Sequence, residues 1–199
     1  MKPLVAAMLW ALTAACLGGC GERSEAPRFE LTDITGANFG KQLSLTDHNG
    51  KPRTLADFRG KVVTLFFGFT HCPDVCPTTL AEMAQVVNAL GPDGNRVQVL
   101  FVTVDPERDT PQVLKQYVPA FHPGFLGLYG DAEATARAAK EFKIYVYKQP
   151  PKDGHYNVDH SAGTYILDRE GRLRLYAGYG TGAPALLHDI RILLGGPAG

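Results

Sequence analysis

The chain has 199 residues, of which 45% are hydrophobic and 20% charged, the balance of an ordinary globular domain with one well-filled core. Twenty lysine plus arginine residues offset twenty aspartate plus glutamate residues. That parity excludes a broad basic field for nucleic acid and leaves no like-charge tail.

The chain opens with Lys2, an apolar run over residues 4–15, and Leu17-Gly18-Gly19-Cys20. A positive end, a short apolar stretch and small residues before a cleavage point make a secretory signal. The run is too short to span a hydrocarbon layer of about 30 Å comfortably. Leucine, two small residues and a cysteine are similar to the bacterial lipobox, which would make Cys20 the lipidated N-terminus of the mature chain. Cys16 is a poorer candidate, because Thr13 stands where the lipobox has leucine. The expectation is a signal over residues 1–19, a lipidated Cys20 with a polar tether over residues 20–38, and a folded domain over residues 39–199. Such a lipoprotein is held on a membrane of the bacterial cell envelope, facing the periplasm. Of four cysteines, only Cys72 and Cys76 then remain in the domain, and export places them where disulfides can form.

Along the domain, residues 42–47 alternate and His48-Asn49-Gly50-Lys51 supplies a turn, the signature of a β-hairpin. Residues 54–60 read as a connector. Residues 61–70 (KVVTLFFGFT) form an unbroken β-branched and aromatic run, expected of a central strand buried on both faces. Residues 78–90 carry Leu80, Met83, Ala84, Val87 and Leu90 at helical spacing. A second buried strand is expected over 97–105, a helix with proline in its first turn over 111–121, and a short strand over 125–129. A helix over 132–142 and an alternating strand over 144–148 follow. The polar, proline-rich segment 149–159 reads as a mobile loop over the site. Residues 162–167 and 173–177 flank Asp168-Arg169-Glu170-Gly171 as a hairpin, and a helix over 183–194 closes the chain. Strand–helix alternation followed by a hairpin and helix gives an α/β protein with a mixed central sheet, helices on both faces and an N-terminal hairpin. The thioredoxin-like fold has this order.

The chemistry gathers at Thr70-His71-Cys72-Pro73-Asp74-Val75-Cys76-Pro77, which runs from a buried strand into a helix start. Ligands collect at such strand ends. A helix N-terminus favours thiolates and lowers the cysteine pKa. A spacing of four turns both sulfurs the same way if the turn is roughly helical. Two soft, exposed thiolates suit Cu(I) or a reversible disulfide; a purely structural disulfide is the plainer reading. To hold copper firmly a third donor is needed, and six histidines are available. His48, His122 and His188 read as surface residues. His155 lies in the loop, and His71 points to the opposite face from its neighbour Cys72. His160, just before the strand 162–167, is the favoured ligand. Between Asp105 and Thr110, the charges of Asp105, Glu107, Arg108 and Asp109 fit either a partner-docking surface or a capping network that fixes the loop. Phe67, Phe69 and Tyr165 read as core.

Three stretches together resemble the Sco/SenC family: residues 70–77, Val104-Asp105-Pro106-Glu107-Arg108-Asp109-Thr110-Pro111, and Val158-Asp159-His160-Ser161 through Asp168-Arg169-Glu170-Gly171. The likeness runs from about residue 39 to residue 194. It implies a thioredoxin-like domain that delivers copper, as Cu(I) or Cu(II), to the CuA-bearing subunit of cytochrome c oxidase or exchanges it with another copper chaperone. It implies Cys72, Cys76 and His160 as metal ligands, the same cysteines as a redox-active pair, and Asp74 as a residue that tunes the site. Family members commonly carry a transmembrane helix, where this chain has a lipobox. Related thiol reductases have a cis-proline where this chain has Ala162, which leaves the sulfurs free for a metal. A thiol–disulfide oxidoreductase that reduces the cysteines of a copper site is the alternative function.

Overall fold

The computed structural model describes residues 28–195, so the signal, Cys20 and the first part of the tether lie outside the described residues. The elements are β1 (Thr32–Asp33), β2 (Ser44–Asp47), β3 (Pro52–Thr54), β4 (Val62–Gly68), α1 (Val75–Ala89), β5 (Val97–Thr103), α2 (Pro111–Tyr117), β6 (Leu126–Tyr129), α3 (Ala132–Glu141), β7 (Val146–Lys148), β8 (Val158–His160), β9 (Thr164–Leu167), β10 (Leu173–Ala177) and α4 (Ala183–Leu193). Eight strands form one sheet in the order β1-β10-β9-β4-β5-β6-β2-β3. The β4-β5-β6 centre is parallel and its flanks are antiparallel.

Period-two alternation along the central strands divides the core. Val62 and Phe66 of β4, with Val97, Val99 and Phe101 of β5, face Leu80 and Met83 of α1, Leu114 of α2, and Leu186 and Ile190 of α4. Val63, Leu65 and Phe67, with Leu100 and Val102, face Ala138 and Ala139 of α3 and Leu55 and Phe58 of a short 3₁₀ helix. Helices therefore cover both faces, as the thioredoxin-like reading requires.

Folded structure begins earlier than residue 39. β1 pairs with β10, and the buried Asp189 carboxylate of α4 accepts the backbone N–H groups of Glu30 and Leu31 at 3.0 and 2.8 Å. Two polar groups also sit deeper than the sequence suggests. His48 is buried at the hairpin turn, where its Nδ1 accepts the N–H of Gly127 at 3.0 Å. Between β9 and β10, Asp168 is buried and takes the N–H groups of Glu170 and Arg172.

The largest departure concerns residues 149–159. Instead of a mobile loop, they close a hairpin between β7 and β8, in register from Val146 opposite His160 to Lys148 opposite Val158. At its tip Lys152 and His155 exchange both backbone hydrogen bonds. Asp153 and Gly154 between them have φ of 53° and 80°. Asp-Gly at two successive positive-φ positions is the preferred chemistry of a two-residue hairpin turn. That dipeptide was the available signal; the surrounding prolines and polar residues obscured it.

Candidate metal centre

The site is built where β4 ends. Gly68 is the last residue of β4, and its carbonyl accepts the N–H of Val104 at 2.8 Å, so the chain after β5 borders the same edge. Beyond Gly68 the chain turns, with the N–H of Cys72 bonded to the Phe69 carbonyl at 3.2 Å. α1 begins at Val75, earlier than the apolar stripe indicated, so Cys76 lies in its first turn. Because β9 runs antiparallel to β4, pairing Thr164 with Phe66, the residues just before β9 arrive at the carboxyl end of β4. Those residues include His160, at the end of β8.

One ligand atom each from Cys72, Cys76 and His160 lie within 4.8 Å of one another. Cys76 Sγ is 3.8 Å from His160 Nε2. A metal bonded at about 2.3 Å to sulfur and about 2.0 Å to nitrogen would set those two atoms about 3.7 Å apart at a trigonal angle. The spacing fits such an ion with little movement. His160 Nδ1 lies 2.9 Å from the Ser161 carbonyl, to which it donates as N–H, leaving Nε2 as the lone-pair donor toward the sulfur. Burial holds the imidazole below its ordinary pKa and thus neutral, as a ligand must be. Its ring packs edge-on against Phe66 and Phe69, with centroids 6.4 and 5.7 Å away.

The two sulfurs are not equivalent, and neither is bonded to the other. Cys72 is half-buried and Cys76 is fully buried, at 0% exposure. The sequence suggested exposed thiolates lowered by a helix end. Burial instead pushes the Cys76 thiol well up, outweighing the backbone hydrogen bond at Phe69 that favours the thiolate. A soft cation can displace that proton by bonding the sulfur directly.

Supporting residues divide into those foreseen and those missed. Asp109 is fully buried, accepting the Thr70 N–H at 3.0 Å and the Thr70 and Thr103 hydroxyls at 2.6 Å each. Asp105 is buried too and pairs with Arg108. Two of the loop's carboxylates therefore act as internal clamps. Gly68 was missed: a Cβ there would stand 2.9 Å from Cys76 Sγ and 2.8 Å from the Phe101 ring. A glycine inside a β-branched run was its signal. Tyr117 was missed as well; its hydroxyl is buried without a hydrogen-bond partner among the described residues.

The other candidates stand apart from the cluster. Asp74 caps α1 without a side-chain cap bond, is exposed, and among the described residues its carboxylate meets only the Thr78 hydroxyl, at 3.4 Å. His71 is exposed, with Nδ1 3.2 Å from the Thr70 hydroxyl. His122 accepts the Gly124 N–H. His188 lies 2.7 Å from Asp189. His155 sits at the hairpin tip. Phe67, Phe69 and Tyr165 are buried as expected.

Fold and site together define a thioredoxin-like domain with two thiols and one imidazole poised for a soft metal. The chain belongs to the SCO1/SenC family, whose profile matches residues 31–195. Among its relatives is the mitochondrial SCO2 homolog of Mus musculus, 46% identical over 153 residues, or 75% of this chain and 60% of that protein. The chain thus spans about three-fifths of that relative's length. Two solved structures are also similar. Bradyrhizobium japonicum ScoI with copper bound is 41% identical, with a TM-score of 0.73 over 78% of this chain and 99% of that one. Apo Sco1 of Thermus thermophilus is 43% identical, with a TM-score of 0.75 over 84% and 98%.

Proposed function

We propose that this protein is a copper carrier that takes one copper ion on Cys72, Cys76 and His160. The recipient on this reading is the CuA-bearing subunit of cytochrome c oxidase, reached directly or through another copper chaperone. The carrying observation is the meeting of two sulfurs and a neutral imidazole nitrogen within 4.8 Å. Thiolates suit Cu(I), and the nitrogen donor lets the same site accept Cu(II). A similar ScoI holds copper. Asp74, exposed between the cysteines at the start of α1, adjusts the site through its charge rather than by contact. Lipidation of Cys20 would keep the domain on a bacterial envelope membrane, facing the periplasm. Among the described residues no helix is long and apolar enough to cross a membrane.

Titration of the mature protein with Cu(II) should reach one copper per chain, with a sulfur-to-metal charge-transfer band. His160→Ala should weaken binding by at least about tenfold, equivalent to about 1.4 kcal/mol, and Cys72→Ser or Cys76→Ser should remove the band. Unchanged affinity in the His160 variant would defeat the ligand set.

A second reading draws on the unequal thiols, one half-buried and one buried. In a thiol–disulfide oxidoreductase, Cys72 would attack a partner disulfide and Cys76 would resolve the mixed disulfide, leaving the partner's two thiols and a Cys72–Cys76 bond. Such a reaction has no use for His160, so turnover that survives His160→Ala would favour it.

A further inference from the structure

The ligands reach the site on two separate pieces of chain, and they differ in how those pieces are fastened. Of residues 145–162, only Val158 is buried. Apolar packing of its own therefore gives the His160 hairpin little hold. What fastens it to the domain is mainly a cluster around Tyr156, beside the exposed Lys148–Glu107 pair at 2.6 Å. The Tyr156 hydroxyl donates to Asp105 Oδ1 at 2.8 Å. Its carbonyl accepts Arg108 Nη1 at 2.9 Å. The Arg108 guanidinium lies over the same ring at 3.7 Å from the centroid, and Lys148 Nζ lies over it at 4.1 Å. Arg108 Nε is paired with Asp105, Nη2 is buried without an acceptor among the described residues, and the guanidinium also lies 5.7 Å from the Phe69 centroid. With one nitrogen unsatisfied, the aromatic faces help offset the desolvation of this cation. Phe69 in turn packs on the His160 ring.

The segment that receives Tyr156 also fixes the sulfurs. Asp109, four residues beyond Asp105, holds Thr70, two residues ahead of Cys72. One short loop therefore grips both halves of the site, with Asp109 on the cysteine side and Asp105 with Arg108 on the histidine side. The histidine grip is the only one of the two built on a half-buried ring.

We propose that Tyr156 is a positioning residue: hooked between Asp105, Arg108 and Lys148, it holds the β7–β8 hairpin so that His160 completes the metal site. Release of the hook leaves copper on the two sulfurs alone, a weaker site from which it passes on. The inference rests on the copper reading above and adds to it the residue that governs the third donor.

The test is a double-mutant cycle of Tyr156→Leu and His160→Ala in the mature chain, loaded with Cu(I) and challenged with a Cu(I) chelator. Tyr156→Leu should speed copper loss about tenfold, and Tyr156→Phe, which keeps the ring faces, by less. In the His160→Ala background Tyr156→Leu should add nothing, because the donor it positions is gone. Equal acceleration in both backgrounds would mean general loosening and would overturn the proposal, as would no acceleration in either. Amide hydrogen exchange of the apo protein gives a second readout. Tyr156→Leu should raise exchange in residues 144–162 and leave residues 68–76 as they were; unchanged exchange in the hairpin would also overturn the hook. A wild-type protein that binds no copper would remove the functional reading, while apo exchange would still decide the hook.

Discussion

The cysteine segment and the histidine hairpin meet at one ion-sized gap, yet they are built on opposite principles. Cys76 is at 0% exposure in the core, in the first turn of a 15-residue helix, with Phe66, Phe101 and Gly68 packed around its sulfur. β7 on the hairpin is exposed along its length; Tyr145 and Tyr147 are 62% and 49% exposed. The hairpin forms its own two-stranded sheet, apart from the eight-stranded one. A site divided in this way has one sulfur in the core, one at the core's edge and an imidazole on a peripheral arm. On the copper-carrier reading proposed above, this asymmetry would let the site hold its ion firmly and then give it up.

Several changes would break or sharpen that contrast. The largest effect should come from Asp109→Ala, which orphans the Thr70 N–H and the two threonine hydroxyls. A loss of about 2–3 kcal/mol in denaturant unfolding is expected, with the cysteine segment disturbed and the hairpin amides little changed. Asp109 also has a pH signature. Burial raises its carboxyl, against the hydrogen bonds from Thr103 and Thr70. The folded protein therefore keeps this proton above the ordinary value of 3.8, where the unfolded chain has shed it. Its part in stability falls as pH rises through that window. Asp109→Asn should flatten that decline in Tm, measured against wild type from about pH 4 to about pH 6. Asp47 and Asp168 slope the other way. Burial opposes their charge too, but the N–H and guanidinium donors around them win and hold their carboxyls low. Their contribution is present above 3.8 and lost in stronger acid, and it is common to both proteins.

Next in size is Gly68→Ala. A methyl group there would crowd Cys76 Sγ and the Phe101 ring. Overpacking of that kind should cost about 2 kcal/mol in chemical unfolding and shift the charge-transfer band of the copper protein, because the sulfur must move. An unchanged band would show the core sulfur to be less fixed than the contrast demands. The smallest effect is expected from Lys148→Ala, which removes the exposed Glu107 pair and one cation from the Tyr156 ring. Tm should stay the same while copper loss quickens slightly at low salt, and the difference should vanish at high salt.

Much of this was legible in the sequence because the core announces itself. The unbroken apolar runs over β4 and β5, the helical stripe of α1 and the Asp168 turn each carry a local pattern that the sheet then uses. His160 could be placed because it precedes a strand that must run beside the cysteine turn. What escaped was set by context. The depth of Cys76 depends on Phe66 and Phe101 from two strands, so a helix-end argument misjudged its thiol. Burial of His48 depends on a carbonyl and an amide of β6, 79 residues away in sequence. Asp105 and Asp109 fitted a docking surface and a loop-fixing capping network equally well, since nothing local shows that Thr70, Thr103 and Tyr156 close over them. The hairpin was hidden by its composition, although Asp153-Gly154 marked its turn.

The claim on which the rest stands is that both sulfurs and the far imidazole bind one ion. X-ray absorption at the copper edge tests it directly, on copper-loaded wild type and on His160→Ala. Two sulfur neighbours and one nitrogen in wild type, with the nitrogen alone lost in the variant, is the expected result. A copper shell without sulfur, or one that His160→Ala leaves untouched, would contradict it.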